Sequence, residues 1–213
     1  MHYIIVVMSL ISSIVLAAIH TVRVGARGRL DFEPRSISAS EGDIVIFSIQ
    51  GNHDVAAGVF ASPCQASTDG IYSGPYSDTD GGKKKFVVRL NNTDPIYYYC
   101  SIQDHCQEGM VGGINLPYVS TNVRPNFLDN AVSMQVLTAT RSDGETIESY
   151  AEAAKAFTGR SLTPSVMRGG ILEEDGQLAN LMSSEAATAS RSYVPCLIQI
   201  ERIQTRLEWV QCD

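Results

Sequence analysis

The chain has 213 residues, of which 44% are hydrophobic and 18% are charged, and its formal net charge is −7. This balance is ordinary for a folded globular protein and excludes an intrinsically disordered chain. The acidic charge, with an isoelectric point near 5.1, gives no support to nucleic-acid binding. The length suffices for one larger domain or two small ones, each with its own hydrophobic core.

An uncharged apolar run occupies residues 3–19, YIIVVMSLISSIVLAAI. Such a run at the very N-terminus, ending in small residues, is typical of a secretory signal peptide. We expect cleavage after Ala18, which makes residues 1–18 the signal peptide, or alternatively after Ala26. A membrane anchor is the competing interpretation, but the run is short for a bilayer and no lysine or arginine precedes it.

The end of the chain, LEWVQCD, lacks the apolar tail of a lipid-anchor signal. We therefore expect a secreted, extracellular protein with no membrane anchor after signal cleavage, in solution or associated with the cell wall.

Short strand-like segments follow the apolar run, separated by clusters of glycine, proline, asparagine and aspartate. Residues 43–49, DIVIFSI, are rich in β-branched and aromatic residues, which favours a buried strand over a helix in so short a segment. Residues 21–24, 86–90, 96–100 and 111–116 have the same character. Several short strands of this kind predict a mainly β fold, an antiparallel sandwich or barrel.

The composition changes near residue 119. Residues 144–157, GETIESYAEAAKAF, place apolar side chains on one face of a helix. The residues of this face are Ile147, Tyr150, Ala151, Ala154 and Phe157. Residues 171–190 and 200–210 also have helical character. Residues 119–213 are therefore predicted to form a mostly α-helical C-terminal region of unknown role.

The chain has five cysteines: Cys64, Cys100, Cys106, Cys196 and Cys212. In an oxidising compartment thiols tend to pair, so an odd number leaves one cysteine for another task. One metal ligand and two disulfides would account for all five. Cys196 and Cys212 invite pairing, but in one straight helix they would lie roughly 24 Å apart, beyond disulfide reach. Whether the helix breaks between them or each pairs elsewhere stays open.

Residues 95–115, PIYYYCSIQDHCQEGMVGGIN, place Cys100, His105 and Met110 at a C-x4-H-x4-M spacing. Upstream, His53 supplies a second imidazole. Two imidazoles, one thiolate and one thioether are the ligand set of a type 1, or blue, copper electron-transfer site. His53, Cys100 and His105 would form the trigonal plane, with Met110 as the weak axial ligand.

Taken singly, each of these residues has a simpler interpretation. His53 is then an ordinary loop histidine, Cys100 half of a disulfide and Met110 a core residue. Their joint spacing is what points to a metal. Since no histidine follows His105, a second histidine-ligated copper site in the second half of the chain is excluded.

Residues 20–117 resemble the cupredoxins, in particular the phytocyanin- and plastocyanin-like copper domains of secreted fungal proteins. The matching segments, in the family's order, are His20 to Gly25, Phe32 to Pro34 with Glu41 to Asp43, Asn52 to Val55, Phe60 with Pro63 and Cys64, Tyr72 to Gly74, and residues 95–115.

The resemblance implies a Greek-key cupredoxin β-sandwich over residues 19–118 that holds one copper ion. In phytocyanin-like domains, a cysteine directly after the second histidine ligand pairs with one downstream of the first histidine. Mapped onto this chain, that pattern implies a disulfide between Cys64 and Cys106 and leaves Cys100 free as a ligand.

Two departures from the family pattern stand near the copper ligands. Asp54 follows the first histidine, where this group commonly has a small hydroxyl residue, and its charge could lower the reduction potential of a bound copper. Tyr97 to Tyr99 stand where tryptophan and phenylalanine are frequent. Outside the site, the sequon that begins at Asn91 is a candidate for N-glycosylation on an expected turn.

The function expected from these features is one-electron transfer by a mononuclear copper protein, with an unknown protein or small molecule as redox partner. An extracellular or cell-wall structural module with the same fold is one alternative, and copper sequestration without a redox partner is another. With His53 and His105 bound to metal, only His20 could act as a general base in the mature chain, so we expect no enzyme activity.

Overall fold

A computed structural model describes residues 17–117 and 144–180, together with the backbone of strands at 121–123 and 136–138. Nearly all of the predicted signal peptide lies outside these residues, as do Cys196, Cys212 and the helical segments predicted beyond residue 180. Within the described part, no helix is long and apolar enough to cross a membrane.

The described residues form short strands, an α-helix and a further helical stretch at residues 175–180, with 3-10 turns at Ala26–Gly28 and Tyr76–Thr79. The strands are β1 (Ile19–Val24), β2 (Phe32–Glu33), β3 (Ser36–Ile37), β4 (Ile44–Ile49), β5 (Ala56–Val59), β6 (Ser62–Ala66), β7 (Lys84–Arg89), β8 (Ile96–Tyr99), β9 (Val111–Ile114), β10 (Thr121–Val123), β11 (Val136–Thr138) and β12 (Ile171–Glu174). The helix is α1 (Ile147–Ala156).

Two five-stranded sheets make a β-sandwich, as predicted. The first has the order β12-β7-β4-β1-β2 and the second the order β3-β9-β8-β5-β6, while β10 and β11 pair with each other. Most neighbours are antiparallel, but β1 pairs with β4, and β3 with β9, in parallel. The pairing is therefore mixed rather than wholly antiparallel, because long crossovers such as the one between β1 and β4 allow parallel neighbours.

Strand β4, IVIFSI, is buried on both faces of the first sheet. Val45 and Phe47 point into the main core between the sheets, whereas Ile44 and Ile46 pack on the opposite face with Leu178. A near-continuous apolar run suits a strand that is covered on both sides, which explains the absence of polar alternation in this segment.

The three consecutive tyrosines of β8 are all buried, for the same reason. Tyr98 points into the main core, where its ring centroid lies 5.3 Å from that of Phe47. Tyr97 and Tyr99 point to the other face of the second sheet, where they belong to a second apolar cluster with Tyr150 of α1. A helix on the outer face thus gives both sides of β8 an apolar neighbour.

Helix α1 confirms the predicted amphipathic helix. Thr146 caps its N-terminus by accepting a hydrogen bond from the backbone N–H of Ser149. Tyr150, Ala151 and Ala154 of the predicted apolar face are buried against the second sheet. Amphipathic spacing therefore identified both the helix and the side that it buries.

The helix predicted from residue 171 is wrong for its first four residues. Residues 171–174 form β12, which pairs with the edge of β7, and helical structure begins only at residue 175. Glu173 and Glu174 stand opposite Lys85 and Lys84 in this pairing. An available sheet edge and opposite charges across it override a weak local helix propensity.

Residues 144–180 contribute to both layers of the sandwich. Helix α1 covers the outer face of the second sheet, and β12 extends the first sheet at its edge. The prediction separated a copper domain at 19–118 from the C-terminal region. In the structure, residues 144–180 pack against that domain and supply part of its buried apolar surface.

Candidate metal centre

Loops at one end of the sandwich carry the predicted ligands. His53 lies between β4 and β5, Cys100 directly follows β8, and Met110 directly precedes β9. The connection between β8 and β9 is closed by backbone hydrogen bonds from the N–H of Cys100 to the carbonyl of Met110 (3.1 Å) and from the N–H of Met110 to the carbonyl of His105 (2.9 Å). These bonds fix three of the four predicted ligands on one short loop.

The structure brings His53, Cys100 and His105 together. The Sγ atom of Cys100 lies 3.3 Å from Nδ1 of His105 and 3.7 Å from Nδ1 of His53. The ligand atoms of the three residues all lie within 4.8 Å of one another, so the group could hold a metal ion. One soft sulfur and two imidazole nitrogens suit copper or zinc better than magnesium or calcium.

Met110 is fully buried and belongs to the same core cluster as Cys100. Its backbone is bonded to that of Cys100 and of His105 within the same loop. The position agrees with both interpretations made from the sequence, an axial ligand and a core residue.

Gly25 creates the space that His53 occupies. A Cβ atom added at Gly25 would lie 2.1 Å from Cδ2 and 2.5 Å from Nε2 of the His53 ring. Gly25 also has a φ of 68°, a left-handed conformation that glycine adopts without penalty. The Cδ2 and Nε2 atoms of the His53 ring therefore lie against this glycine, while its Nδ1 lies 3.7 Å from the Sγ atom of Cys100.

Asp54, which follows His53 in the chain, is completely buried. Its Oδ1 accepts a hydrogen bond from the backbone N–H of Ser101 at 2.6 Å, and its Oδ2 accepts one from the Ser101 hydroxyl at 2.5 Å. Because Asp54 follows His53 and Ser101 follows Cys100, these bonds tie together the chain segments that carry two ligands.

Burial, followed by the charge of Asp54, raises the pKa of the Cys100 thiol far above its ordinary value. Burial lowers the pKa of both His53 and His105, and the neighbouring His105 lowers that of His53 further. Burial also raises the pKa of Asp54, although the hydrogen bonds from Ser101 oppose the shift. At neutral pH, the metal-free site thus holds a neutral thiol and two neutral imidazoles.

Cys64 and Cys106 form the disulfide that the resemblance implied, with a Cα–Cα distance of 5.8 Å. Cys100 is a buried free thiol, so the only cysteine in the described residues without a bridge is the proposed ligand. The bridge joins positions 42 residues apart, and closing a loop of that length stabilises the fold by about 4 kcal/mol. It also anchors the residue next to His105.

The sequence did not reveal Gly25, Ser101 and Thr163 as parts of this site. In the sequence, the only sign of the positive φ at position 25 is that the residue is a glycine. Ser101 is recognisable only as the neighbour of a proposed ligand. Thr163 lies 62 positions from Ser101 and bonds to it across the fold, an arrangement without any local pattern.

The glycosylation candidate Asn91 lies outside this site. It is exposed between β7 and β8, as expected for a glycan acceptor.

Comparison with curated proteins identifies the family. The chain is 37% identical over 158 residues to "Probable GPI-anchored cupredoxin-1" of Arthroderma benhamiae, an alignment that covers 73% of this chain and 69% of the relative. It is 35% identical over 131 residues to "Extracellular serine-rich protein" of the same fungus, covering 58% of this chain and 50% of that protein. With its two-sheet sandwich and its His-Cys-His group, the chain belongs to the cupredoxins.

Among solved structures, a pseudoazurin from Sinorhizobium is 26% identical to this chain, with a TM-score of 0.32. The matched region covers 46% of this chain and 72% of the pseudoazurin chain. No family model matches the sequence.

Proposed function

We propose that the protein binds one copper ion in a type 1 site and carries single electrons outside the cell. The observation that supports this most directly is the convergence of His53, Cys100 and His105, whose ligand atoms lie within 4.8 Å of one another. Met110 would complete the set as the weak axial ligand. Copper, when bound, would supply the change between Cu(I) and Cu(II).

The chain's own residues favour such a role because they hold the donors in place before any metal arrives. Gly25 seats the ring of His53, the bonds between Asp54 and Ser101 join two ligand segments, and the disulfide of Cys106 holds the loop next to His105. A site that changes little between oxidation states is what rapid electron transfer requires. The role needs a redox partner and no catalysis by the protein itself.

The proposal also covers where the protein is located in the organism. The two fungal relatives are named as a GPI-anchored and as an extracellular protein, and the N-terminal apolar run of this chain has the features of a signal peptide. We propose an extracellular or cell-surface location. The anchor in the relative's name disagrees with the anchor-free form expected from the sequence, and release from cells by a phosphatidylinositol-specific phospholipase would show which applies.

The test is a titration of the purified protein with Cu(II), followed by visible absorption, next to Cys100→Ser and Met110→Leu variants. The wild type should develop an intense blue thiolate-to-copper band that saturates at one copper per chain. Cys100→Ser should lose the band, while Met110→Leu should keep it and change the reduction potential. A colourless wild type would contradict the copper site and favour a structural module with the cupredoxin fold.

Electron carriage needs its own measurement, because sequestration would use the same four residues. Protein-film voltammetry should give a reversible one-electron couple, and electron self-exchange should be fast if the site is pre-organised. A site that holds copper tightly but gives no reversible couple would favour sequestration.

A further inference from the structure

Residues 159–168, which connect α1 to β12, form an irregular segment that crosses the metal end of the sandwich; we call it the strap. Its two ends are fixed in different layers, since α1 packs on the second sheet and β12 pairs within the first. Between these ends it has no regular structure of its own beyond an isolated bridge between Arg168 and Tyr72. Its hydrogen bonds therefore go mainly to the rest of the protein.

Those bonds converge on the residues around the ligands. The Tyr99 hydroxyl, one residue before Cys100, donates to the carbonyl of Leu162 at 2.5 Å. The N–H of Leu162 in turn donates to the carbonyl of Cys64 at 3.0 Å. A single strap residue thus links the strand that ends at the thiol ligand to the strand that carries half of the disulfide.

The strap also holds the loop that carries His105. Nε2 of Gln107 donates to the carbonyl of Gly159 at 2.7 Å, and the hydroxyl of Ser161 donates to Oε1 of the same glutamine at 3.0 Å. Both ends of the Gln107 amide are therefore bonded to the strap. Because Gln107 stands two residues after His105 and three before Met110, these bonds restrain the middle of the ligand loop.

Thr163 of the strap bonds to the residue that follows Cys100. Its Oγ1 lies 2.9 Å from Oγ of that residue, Ser101. The single hydroxyl hydrogen of Ser101 can be donated to Asp54 or to Oγ1 of Thr163, and the Thr163 hydroxyl in turn donates to the backbone carbonyl of Ser101 at 3.4 Å. A chain of side-chain hydrogen bonds then runs from the strap through Ser101 to Asp54, which follows His53.

We propose that the strap holds the Cys100–Met110 loop in its metal-ready geometry, with Thr163 as the positioning residue for Cys100. The inference rests on the metal-binding function proposed above. The side chain of Thr163 is exposed, so its contribution comes from the hydroxyl rather than from core packing. Its replacement should consequently leave no cavity, which makes it a clean residue to test.

The test compares Thr163→Val, which keeps the shape and removes the hydroxyl, with Thr163→Ser, which restores it. Thr68→Val is the matched control, because the hydroxyl of Thr68 is exposed and donates only to the adjacent Asp69. Hydrogen exchange of the backbone amides at 100–111 is measured in the metal-free proteins. Absorption and reduction potential are measured after loading with Cu(II).

In the metal-free state, Thr163→Val should raise the exchange rates of the loop amides roughly three- to tenfold, the effect of losing one hydrogen bond. In the copper-loaded state, it should shift the thiolate-to-copper band and the reduction potential. Thr163→Ser and Thr68→Val should stay at the wild-type values in both experiments.

Loop exchange rates equal to those of the wild type would overturn the inference. Faster exchange with an unchanged band and potential would overturn it too, because the strap would then stabilise the fold without positioning a ligand. If the wild type takes up no copper, the proposed function fails, and the exchange rates of the metal-free proteins decide alone whether the strap restrains the loop.

Discussion

The carboxylate of Asp54 accepts two hydrogen bonds from Ser101, one from its backbone N–H and one from its hydroxyl. The two residues directly follow His53 and Cys100, so the bonds hold the loop after β4 against the end of β8. Asp54 is fully buried, and Ser101 is 3% exposed. A buried acidic group beside the proposed ligands would influence both the geometry of the site and the charge around a bound metal.

Asp54→Asn should separate these two effects. The asparagine side chain can accept from the Ser101 N–H through its oxygen and donate to the Ser101 hydroxyl oxygen through its nitrogen, so the geometry is retained. Removal of the negative charge favours Cu(I) over Cu(II), and the reduction potential should rise. A tenfold change in relative affinity corresponds to about 59 mV for one electron, and we expect a shift of that order by voltammetry. An unchanged potential would mean that Asp54 is already neutral in the copper form.

Gly25→Ala should damage the site by displacing His53. The new Cβ would lie 2.1 Å from the ring and 2.8 Å from the carbonyl oxygen of Gln50, so the imidazole must move. Gly28→Ala is the matched control, because Gly28 has nearly the same positive φ, 71° against 68°, but nothing within 4 Å of the added atom. Both variants should lose about 1 kcal/mol of stability from the backbone.

Only Gly25→Ala should also weaken copper binding. We expect a loss of affinity of about tenfold or more, the effect of a lost or distorted ligand contact, as measured by competition with a chelator. Equal copper affinity in the two alanine variants would show that the ring of His53 can relax without cost to the site.

The proposed ligands could be singled out in the sequence because short patterns encode them. Cys100, His105 and Met110 lie on one loop, and their spacing is local. The strands β4 and β7 and the helix α1 were also predictable, since each carries a clear run or period of apolar residues. The disulfide followed from the resemblance, which supplied a pairing that spacing alone leaves open.

The remaining features depend on contacts between distant parts of the chain. Strands β5 and β6, AAGV and SPCQA, have little strand propensity and form because they pair with β8 and with each other. β12 forms because β7 offers it an edge. The tyrosines of β8 gave no sign that Tyr99 would bond to Leu162, because that contact joins residues 63 positions apart.

Metal binding should release one proton per chain near pH 7. The Cys100 thiol is protonated in the metal-free protein, since burial raises its pKa, and it must lose that proton to become a ligand. His53 and His105 are already neutral, because their pKa values lie below the ordinary 6.5. With redox-inert Zn(II), calorimetry in buffers of different ionisation enthalpy should therefore count about one proton.

The same reasoning gives the pH dependence of the affinity. The logarithm of the zinc affinity should rise by about one per pH unit near neutrality, because one proton leaves on binding. The slope should become steeper in more acidic solution, where the imidazoles begin to take up protons. Cys100→Ser should flatten the dependence near pH 7, and a slope unchanged by that substitution would contradict Cys100 as the source of the proton.

Tyr99→Phe should lower the stability of the fold, whereas Tyr150→Phe should not. The hydroxyl of Tyr99 donates to the carbonyl of Leu162, and its removal should lower the free energy of unfolding by about 1 kcal/mol. The hydroxyl of Tyr150 is buried and has no hydrogen-bond partner among the described residues. Its removal should leave stability unchanged or raise it by up to about 1 kcal/mol, because no unsatisfied polar group is then buried. Urea denaturation of the two variants measures both effects, and a loss for Tyr150→Phe comparable to that for Tyr99→Phe would contradict this account.

The position of β1 bears on the two signal-cleavage sites considered for the chain. β1 pairs with both β4 and β2, and its Val22 and Val24 are completely buried in the main core. Cleavage after Ala26 would remove this strand from the interior of a five-stranded sheet. Burying each valine is worth about 1.5–3 kcal/mol, so the loss would consume much of the stability of an ordinary domain.

We therefore expect the mature protein to retain β1 and to begin near Ile19, as cleavage after Ala18 would produce. Peptide mass spectrometry of protein secreted by a eukaryotic host should find an N-terminal peptide that contains His20, whose Nε2 lies 3.0 Å from the carboxylate of Asp43. A recombinant chain that begins at Ile19 should fold cooperatively and bind copper, whereas one that begins at Arg27 should not. A secreted, copper-binding protein with Arg27 as its first residue would contradict the place given to β1 in the sheet.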